Sequence, residues 1–254
     1  MSEKLEPKPA PALFRGMRRM ADYLAMDFLG GPRPLKAAWV INLQKGGTLP
    51  FVLLLMVLYD NWSTAAWVYL GLHGSYGLCW LLKHVYFPDP NWERRVTIGA
   101  AINMWLFVLG LYWLAPFLLI SDVLGPDRPQ PSNTVLGVAI ALYAVGVVIM
   151  MASDAQKYYT LKVKRGLITD GLFRHVRHPN YLGEMMLYGA FAMVAHHWIP
   201  WVVLAWVWSF LFSTNMVMKE ASMSRYPEWA AYKARTGMLL PKPWADDGDE
   251  APPG

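Results

Sequence analysis

A chain of 254 residues that is 55% hydrophobic and 16% charged, with a mean hydropathy of +0.24, carries too little charge for an ordinary soluble domain, in which about 25% of residues are charged. Its net charge of +5 comes without a recognition module or zinc-finger spacing, which argues against nucleic acid and suits an anionic membrane face. One cysteine, Cys79, inside an apolar stretch excludes a disulfide framework and a cysteine-based metal site, and no metal is expected.

The composition predicts an all-α, polytopic membrane bundle of about six transmembrane helices preceded by an amphipathic helix. In the N-terminal segment, residues 1–36, Leu13, Met17, Met20, Leu24 and Phe28 share part of one helical face against Arg15, Arg18, Arg19 and Asp22, the pattern of a helix lying in the membrane surface. Six stretches approach the 20 or so residues needed to cross about 30 Å of hydrocarbon. They run from Ala37 to Tyr59, Ser63 to Leu82, Ile98 to Ile120, Thr134 to Met151, Tyr181 to Ala195 and Trp198 to Val217. Lys and Arg accumulate on the cytoplasmic side. Arg33 and Lys36 precede the first stretch, Asp60-Asn61 follows it, Lys83, Arg94 and Arg95 follow the second, and Asp122, Asp127 and Arg128 follow the third. Lys157 to Arg177 follow the fourth, His196-His197 the fifth, and Lys219, Arg225, Lys233 and Arg235 the sixth. The alternation puts both termini in the cytoplasm, and the cationic inner loops suit a bacterial inner membrane.

Polar groups are unevenly shared among these stretches. Residues 37–152 hold the proposed lipid cavity. There Gln44, Lys45, Gly46, Gly47 and Thr48 interrupt the first span, and an unpaired ammonium in hydrocarbon is costly unless it snorkels. His73 and Tyr76, about one turn apart, share a face of the second span. Residues 153–244 form the proposed cofactor region, and the Asp, Glu, Pro and Gly of 245–254 cannot build a core. Asp154 lies near a helix C-terminus, where a carboxylate needs a compensating donor, whereas Lys157 suits that end of the dipole. In Arg174-His175-Val176-Arg177-His178-Pro179-Asn180-Tyr181 the guanidinium forks match phosphate oxygens. Pro179 fits a first helical turn, so Asn180 and Tyr181 stand at a helix N-terminus that favours an anion. Glu184 lies below the hydrocarbon edge or lines a polar cavity. On these residues alone, methyl-transfer cofactors and nicotinamide dinucleotides stay equally open.

Asp154-Ala155-Gln156-Lys157, Gly171-Leu172-Phe173-Arg174, Arg177-His178-Pro179-Asn180-Tyr181-Leu182-Gly183-Glu184 and Arg225-Tyr226-Pro227-Glu228-Trp229-Ala230-Ala231-Tyr232 resemble the steroid 5-alpha-reductase-like and sterol reductase superfamily, including its bacterial membrane members of the DUF1295 type. The resemblance implies an integral membrane enzyme that binds NADPH on the cytoplasmic side and reduces a carbon-carbon double bond in a steroid, sterol or other enone-like lipid. It implies cofactor contacts at Asp154, Arg174, Asn180, Tyr181 and Glu184 and places Tyr232 in the shared closing pattern, and Lys157, Arg177, His178 and Tyr232 join them as candidate cofactor-binding residues. Relatives carry a His near the end of the last span, where this chain has Ser213-Thr214-Asn215-Met216, and a Gln-Glu pair where it has Gln44-Lys45. For an enone, Tyr76 is the expected proton donor, His73 its partner and Gln44 a polar neighbour. Arg177-His178-Pro179-Asn180-Tyr181-Leu182-Gly183 with Glu220 also resembles isoprenylcysteine and phospholipid methyltransferases that use S-adenosylmethionine, the alternative reading. A non-enzymatic lipid-binding protein is the third.

Overall fold

The computed structural model of the chain describes residues 5–125 and 129–242. The tail expected to be disordered, 245–254, lies outside the described residues, as do Pro126, Asp127 and Arg128. Helix α1 spans Ala12–Asp22 and runs on as a wider π turn, Tyr23–Asp27. Five long helices or helical spans follow: α2 Ala37–Leu58, α3 Thr64–Tyr86, α4 Ile98–Ile120, α5 Asn133–Val163 and α6 Pro179–Ala195. The span α7, Trp198–Met223, and a short α8, Trp229–Arg235, complete the order.

Among the described residues α2, α4, α5 and α7 are long and apolar enough to cross a membrane; the chain is an integral membrane protein built almost entirely of helices. Helix α6 has only 17 residues. Among the described residues the departures from an all-α plan are a short antiparallel ladder, β1 (Leu35–Lys36) against β2 (Arg95–Val96), and an isolated bridge between Val176 and Gly237. The ladder ties the chain just before α2 to the chain just before α4, so both helices start from one side.

Local chemistry explains the starts. Ser63, Thr97 and Ser132 accept the backbone N–H groups of Ala66, Ala100 and Val135 at 3.3, 3.1 and 3.3 Å, the N-capping that satisfies orphan donors. Pro179 fills the first turn of α6, where its missing N–H costs nothing. Helix packing then depends on two glycine seams. A Cβ on Gly77 of α3 would stand 2.2 Å from the carbonyl oxygen of Lys45 on α2, and one on Gly183 of α6 would stand 2.6 Å from that of Gly146 on α5. These backbones approach closely because no side chain intervenes.

The regular ladder is broken inside two spans. In α4 a π segment, Trp105–Leu109, is followed by a tight 3-10 turn, Gly110–Trp113, and α7 has a π segment over Val207–Phe212. Such irregular backbone within a membrane span is tolerated where it is buried in protein or borders a cavity. Pro50 inside α2 withdraws the donor that the Gly46 carbonyl would otherwise meet, right beside Lys45.

The N-terminal segment straps the ends of α4 and α7. Arg18 donates to Asn215 at 2.7 Å, Asn103 to the Leu24 carbonyl at 3.1 Å and Thr97 to the Phe28 carbonyl at 2.8 Å. Leu13 and Met20 of α1 stay exposed, leaving an apolar stripe outward.

Candidate functional site

The two ends of the polar system are held by different elements. At its mouth, Lys83 near the end of α3 forms an ion pair with Asp154 of α5, both side chains close to nine-tenths covered. Lys83 is therefore the donor that compensates the Asp154 carboxylate, which lies within α5 rather than at its end, since the helix runs on to Val163. Asp89, in the turn after α3, accepts the Asn91 N–H at 2.9 Å. Burial works to raise its carboxyl, but that hydrogen bond and the ammonium groups of Lys157, Lys219 and Lys83 outweigh it and hold Asp89 below the usual carboxylate range. Lys219 of α7 donates to the Tyr181 hydroxyl at 3.1 Å and lies 4.7 Å from its ring centroid. Among the described residues neither Lys157 nor Lys219 has a carboxylate within ion-pair distance.

Glu184, one turn into α6, links this mouth to the interior. Its charge faces Lys83, Asp154, Lys45 and Lys219. Lys45 of α2 is 3% exposed; it does not snorkel to the helix end. Its ammonium donates to the Tyr188 hydroxyl and sits within 4.9 to 5.3 Å of the ring centroids of Tyr76, Trp80, Tyr112 and Tyr188, a cation-π cage that offsets lost hydration. Tyr76 and Tyr188 oxygens are 3.3 Å apart.

His73 and Tyr76 share the inner face of α3, with ring centroids 6.3 Å apart. The hydrogen bond of His73 goes elsewhere. Its Nδ1 meets the Tyr69 hydroxyl at 2.9 Å, the next residue up on the same face, and its ring stacks on Phe191 at 4.2 Å. Its Nε2 has no hydrogen-bond partner among the described residues, and neither has either amide atom of Gln44, which is fully buried. A narrow crevice bordered by Tyr69, His73, Tyr112, Tyr188, Pro200 and Leu204 opens here between α4 and α7.

The remaining sequence-derived residues form a separate clasp. Arg177 donates through Nε to Glu220 at 2.6 Å, and through Nη1 to the carbonyl and hydroxyl oxygens of Thr236. Glu220 also takes Lys233 at 2.9 Å. The backbone N–H groups of Arg177 and His178 donate to the Gly237 and Met238 carbonyls at 2.9 and 3.1 Å, and the Tyr232 hydroxyl to the Phe173 carbonyl at 2.7 Å. His178 lies 3.7 Å from Glu220, beyond hydrogen-bond reach. Burial first, then Lys219 and Arg177, push its imidazole below the usual range against the pull of Glu220, and burial pushes the Tyr232 phenol up to about 12.

The structure therefore brings Asp154, Lys157, Tyr181 and Glu184 together at the mouth and Gln44, His73 and Tyr76 in the interior. It turns Arg177 and Tyr232 inward to the clasp and leaves Arg174 exposed with Asn180 half-buried beside it. Sequence reasoning passed over Asp89, Tyr112 and Tyr188. Tyr188 was within reach: Tyr181, Glu184 and Tyr188 recur at helical spacing on one face of α6.

A family model described as "Protein of unknown function (DUF1295)" matches residues 13–236. Two uncharacterized proteins of Schizosaccharomyces pombe are similar in part. One is 33% identical over 163 residues, 53% of this chain and 46% of the relative. The other is 35% identical over 74 residues, 28% of this chain and 26% of the relative. The chain thus matches less than half the length of either.

Proposed function

The chain belongs to the DUF1295 family, and from that premise we propose that it is an NADPH-dependent reductase of a carbon-carbon double bond in a steroid, sterol or other enone-like lipid. Family membership fits a lipid-acting membrane enzyme. We place it in a bacterial inner membrane as a six-helix bundle with both termini cytoplasmic, α1 lying on the surface.

One observation carries the reading: Lys83 and Asp154 pair at the mouth, and Lys157, Lys219, Glu184 and Lys45 act on this pair and on one another electrostatically from the mouth into the bundle. This set of charges joins a mouth where Lys157 and Lys219 have no carboxylate within ion-pair distance among the described residues to a buried aromatic interior. The donor set fits a nucleotide phosphate. Lys157, Lys219 and the exposed Arg174 would meet it, and Asn180 and Tyr181 would stand at the α6 N-terminus beside it. Asp154 and Glu184 would keep the lysines in place, and the clasp made by Arg177, His178 and Tyr232 would brace the segment that carries Asn180. NADPH, when bound, supplies a hydride to an electron-poor carbon. In the interior, Tyr76, His73 and Gln44 offer hydroxyl, imidazole and amide groups to the oxygen on which negative charge develops, with water excluded by the surrounding rings.

The test is calorimetry on the full chain in detergent with NADPH and S-adenosylmethionine as separate titrants. We expect saturable NADPH binding, weakened by about 1.5 to 3 kcal/mol in Lys219→Met through loss of a charge-assisted contact. Binding of S-adenosylmethionine with no response to NADPH would put the methyltransferase reading in its place, and no binding of either would favour a lipid-binding protein.

A further inference from the structure

We infer that Tyr188 is the hydroxyl that protonates the reduced lipid and that Lys45 is the positioning residue that makes it able to do so; the inference rests on the reductase reading above. Three observations meet at this pair. Tyr188 borders the crevice between α4 and α7 together with His73 and Tyr112, whereas Tyr76 and Lys45 stand outside its lining. The oxygen of Tyr188 already accepts the Lys45 ammonium, so its own proton is turned away from Lys45, toward the Tyr76 hydroxyl or the crevice. The ammonium is buried among four aromatic rings and bonds no carboxylate within ion-pair distance among the described residues, so the phenol oxygen is its nearest acceptor.

A phenol alone is a weak acid. A cation fixed beside its oxygen stabilises the phenolate that forms when the proton leaves, and does so without reorganisation because the charge is already in place. Tyr76, with its oxygen 3.3 Å from that of Tyr188, adds a second hydroxyl that can solvate the same anion. The electron and proton balance closes. Hydride arriving at the β-carbon of an enone breaks the C=C π bond and moves that pair into the carbonyl, giving an enolate. The Tyr188 proton passes to the enolate oxygen, and Tyr188 is left as phenolate. The Lys45 ammonium returns a proton to the phenolate, and Lys45 regains one through Glu184, which faces both Lys45 and Lys83. The enol becomes the saturated ketone, and the sum is enone, NADPH and one proton giving ketone and NADP+. The substrate class follows: a flat apolar lipid with one carbonyl conjugated to the double bond, its oxygen directed at Tyr188.

The experiment uses the full chain in lipid nanodiscs with androst-4-ene-3,17-dione as the probe. Two readings are taken, the single-turnover rate of NADPH oxidation and, with no NADPH present, the isotope-edited infrared band of the probe's ring carbonyl. In Tyr188→Phe, which keeps the ring and its packing, we expect the rate to fall by about a hundredfold or more, NADPH affinity to hold within about twofold, and the carbonyl band, lowered on binding to the wild type, to return toward its free position. Lys45→Met should lower kcat with KM unchanged and displace the pH-rate profile, and Lys45→Arg should restore part of the rate. A Tyr188→Phe protein with the wild-type rate, or with an unmoved carbonyl band, overturns the inference while leaving the reductase standing. A wild type that oxidises no NADPH with the probe overturns the reductase reading for enones and the inference with it.

Discussion

The clasp and the interior of the bundle both bury polar groups, and they settle them differently: the clasp pairs its charged groups and leaves His178 Nε2 unmet, whereas the interior leaves several groups unmet among the described residues. In the clasp, Arg177 meets Glu220 and Thr236, and Glu220 meets Lys233 as well. In the interior, Gln44 is fully buried with both amide atoms unpartnered among the described residues, His73 leaves Nε2 unmet, and Lys45 leans on rings and a phenol. Satisfied groups rigidify a fold. Buried groups left unmet cost stability, so an interior that retains them is arranged for something else to complete it. The contrast separates what holds this protein together from what we propose it uses.

The largest effect should come from cutting the clasp. Glu220→Ala strands the Arg177 guanidinium, and breaking one side of a buried pair costs about 3 to 5 kcal/mol. We expect the thermal transition of the detergent-solubilised chain to drop sharply, and the NADPH response to vanish with the fold rather than before it. An unchanged transition would mean the clasp carries no load.

A smaller effect of opposite sign is expected at Gln44. Gln44→Leu removes two unmet polar atoms and keeps most of the volume. Stability should rise by as much as about 1 to 3 kcal/mol, while NADPH oxidation with an enone lipid falls. If stability falls instead, the amide has a structural partner and the interior is not incomplete at that point.

These differences explain what could be read in advance. The apolar stretches announced the long helices, four of which among the described residues are long and apolar enough to cross a membrane, because periodicity and length are local properties. Their polar ends were harder: the fourth was expected to stop at Met151, but α5 continues to Val163, since Ser153 to Lys162 carry the helix onward with a mixed polar and apolar sequence too polar to read as part of the span. Asp154, Lys157, Tyr181 and Glu184 fall in short motifs on α5 and α6, which the close approach of Gly146 to Gly183 packs together. Arg177 and Tyr232 sit in the same motifs, yet their partners, Glu220 and the Phe173 carbonyl, are chosen by how the last segment folds back. Lys45 was read as able to snorkel because its cage is assembled from α3, α4 and α6, and no local pattern around Lys45 announces Tyr112 or Tyr188.

The central claim is that hydride passes from a nicotinamide bound at the lysine mouth to a lipid in the aromatic interior. The most direct measurement supplies NADPH deuterated at the transferred position to the full chain in nanodiscs with an enone lipid, and weighs the lipid afterwards. We expect a reduced lipid carrying one deuterium on the β-carbon, formed by the wild type and lost in Lys219→Met at limiting cofactor. A lipid that gains a methyl group from S-adenosylmethionine, and no deuterium from NADPH, would contradict it.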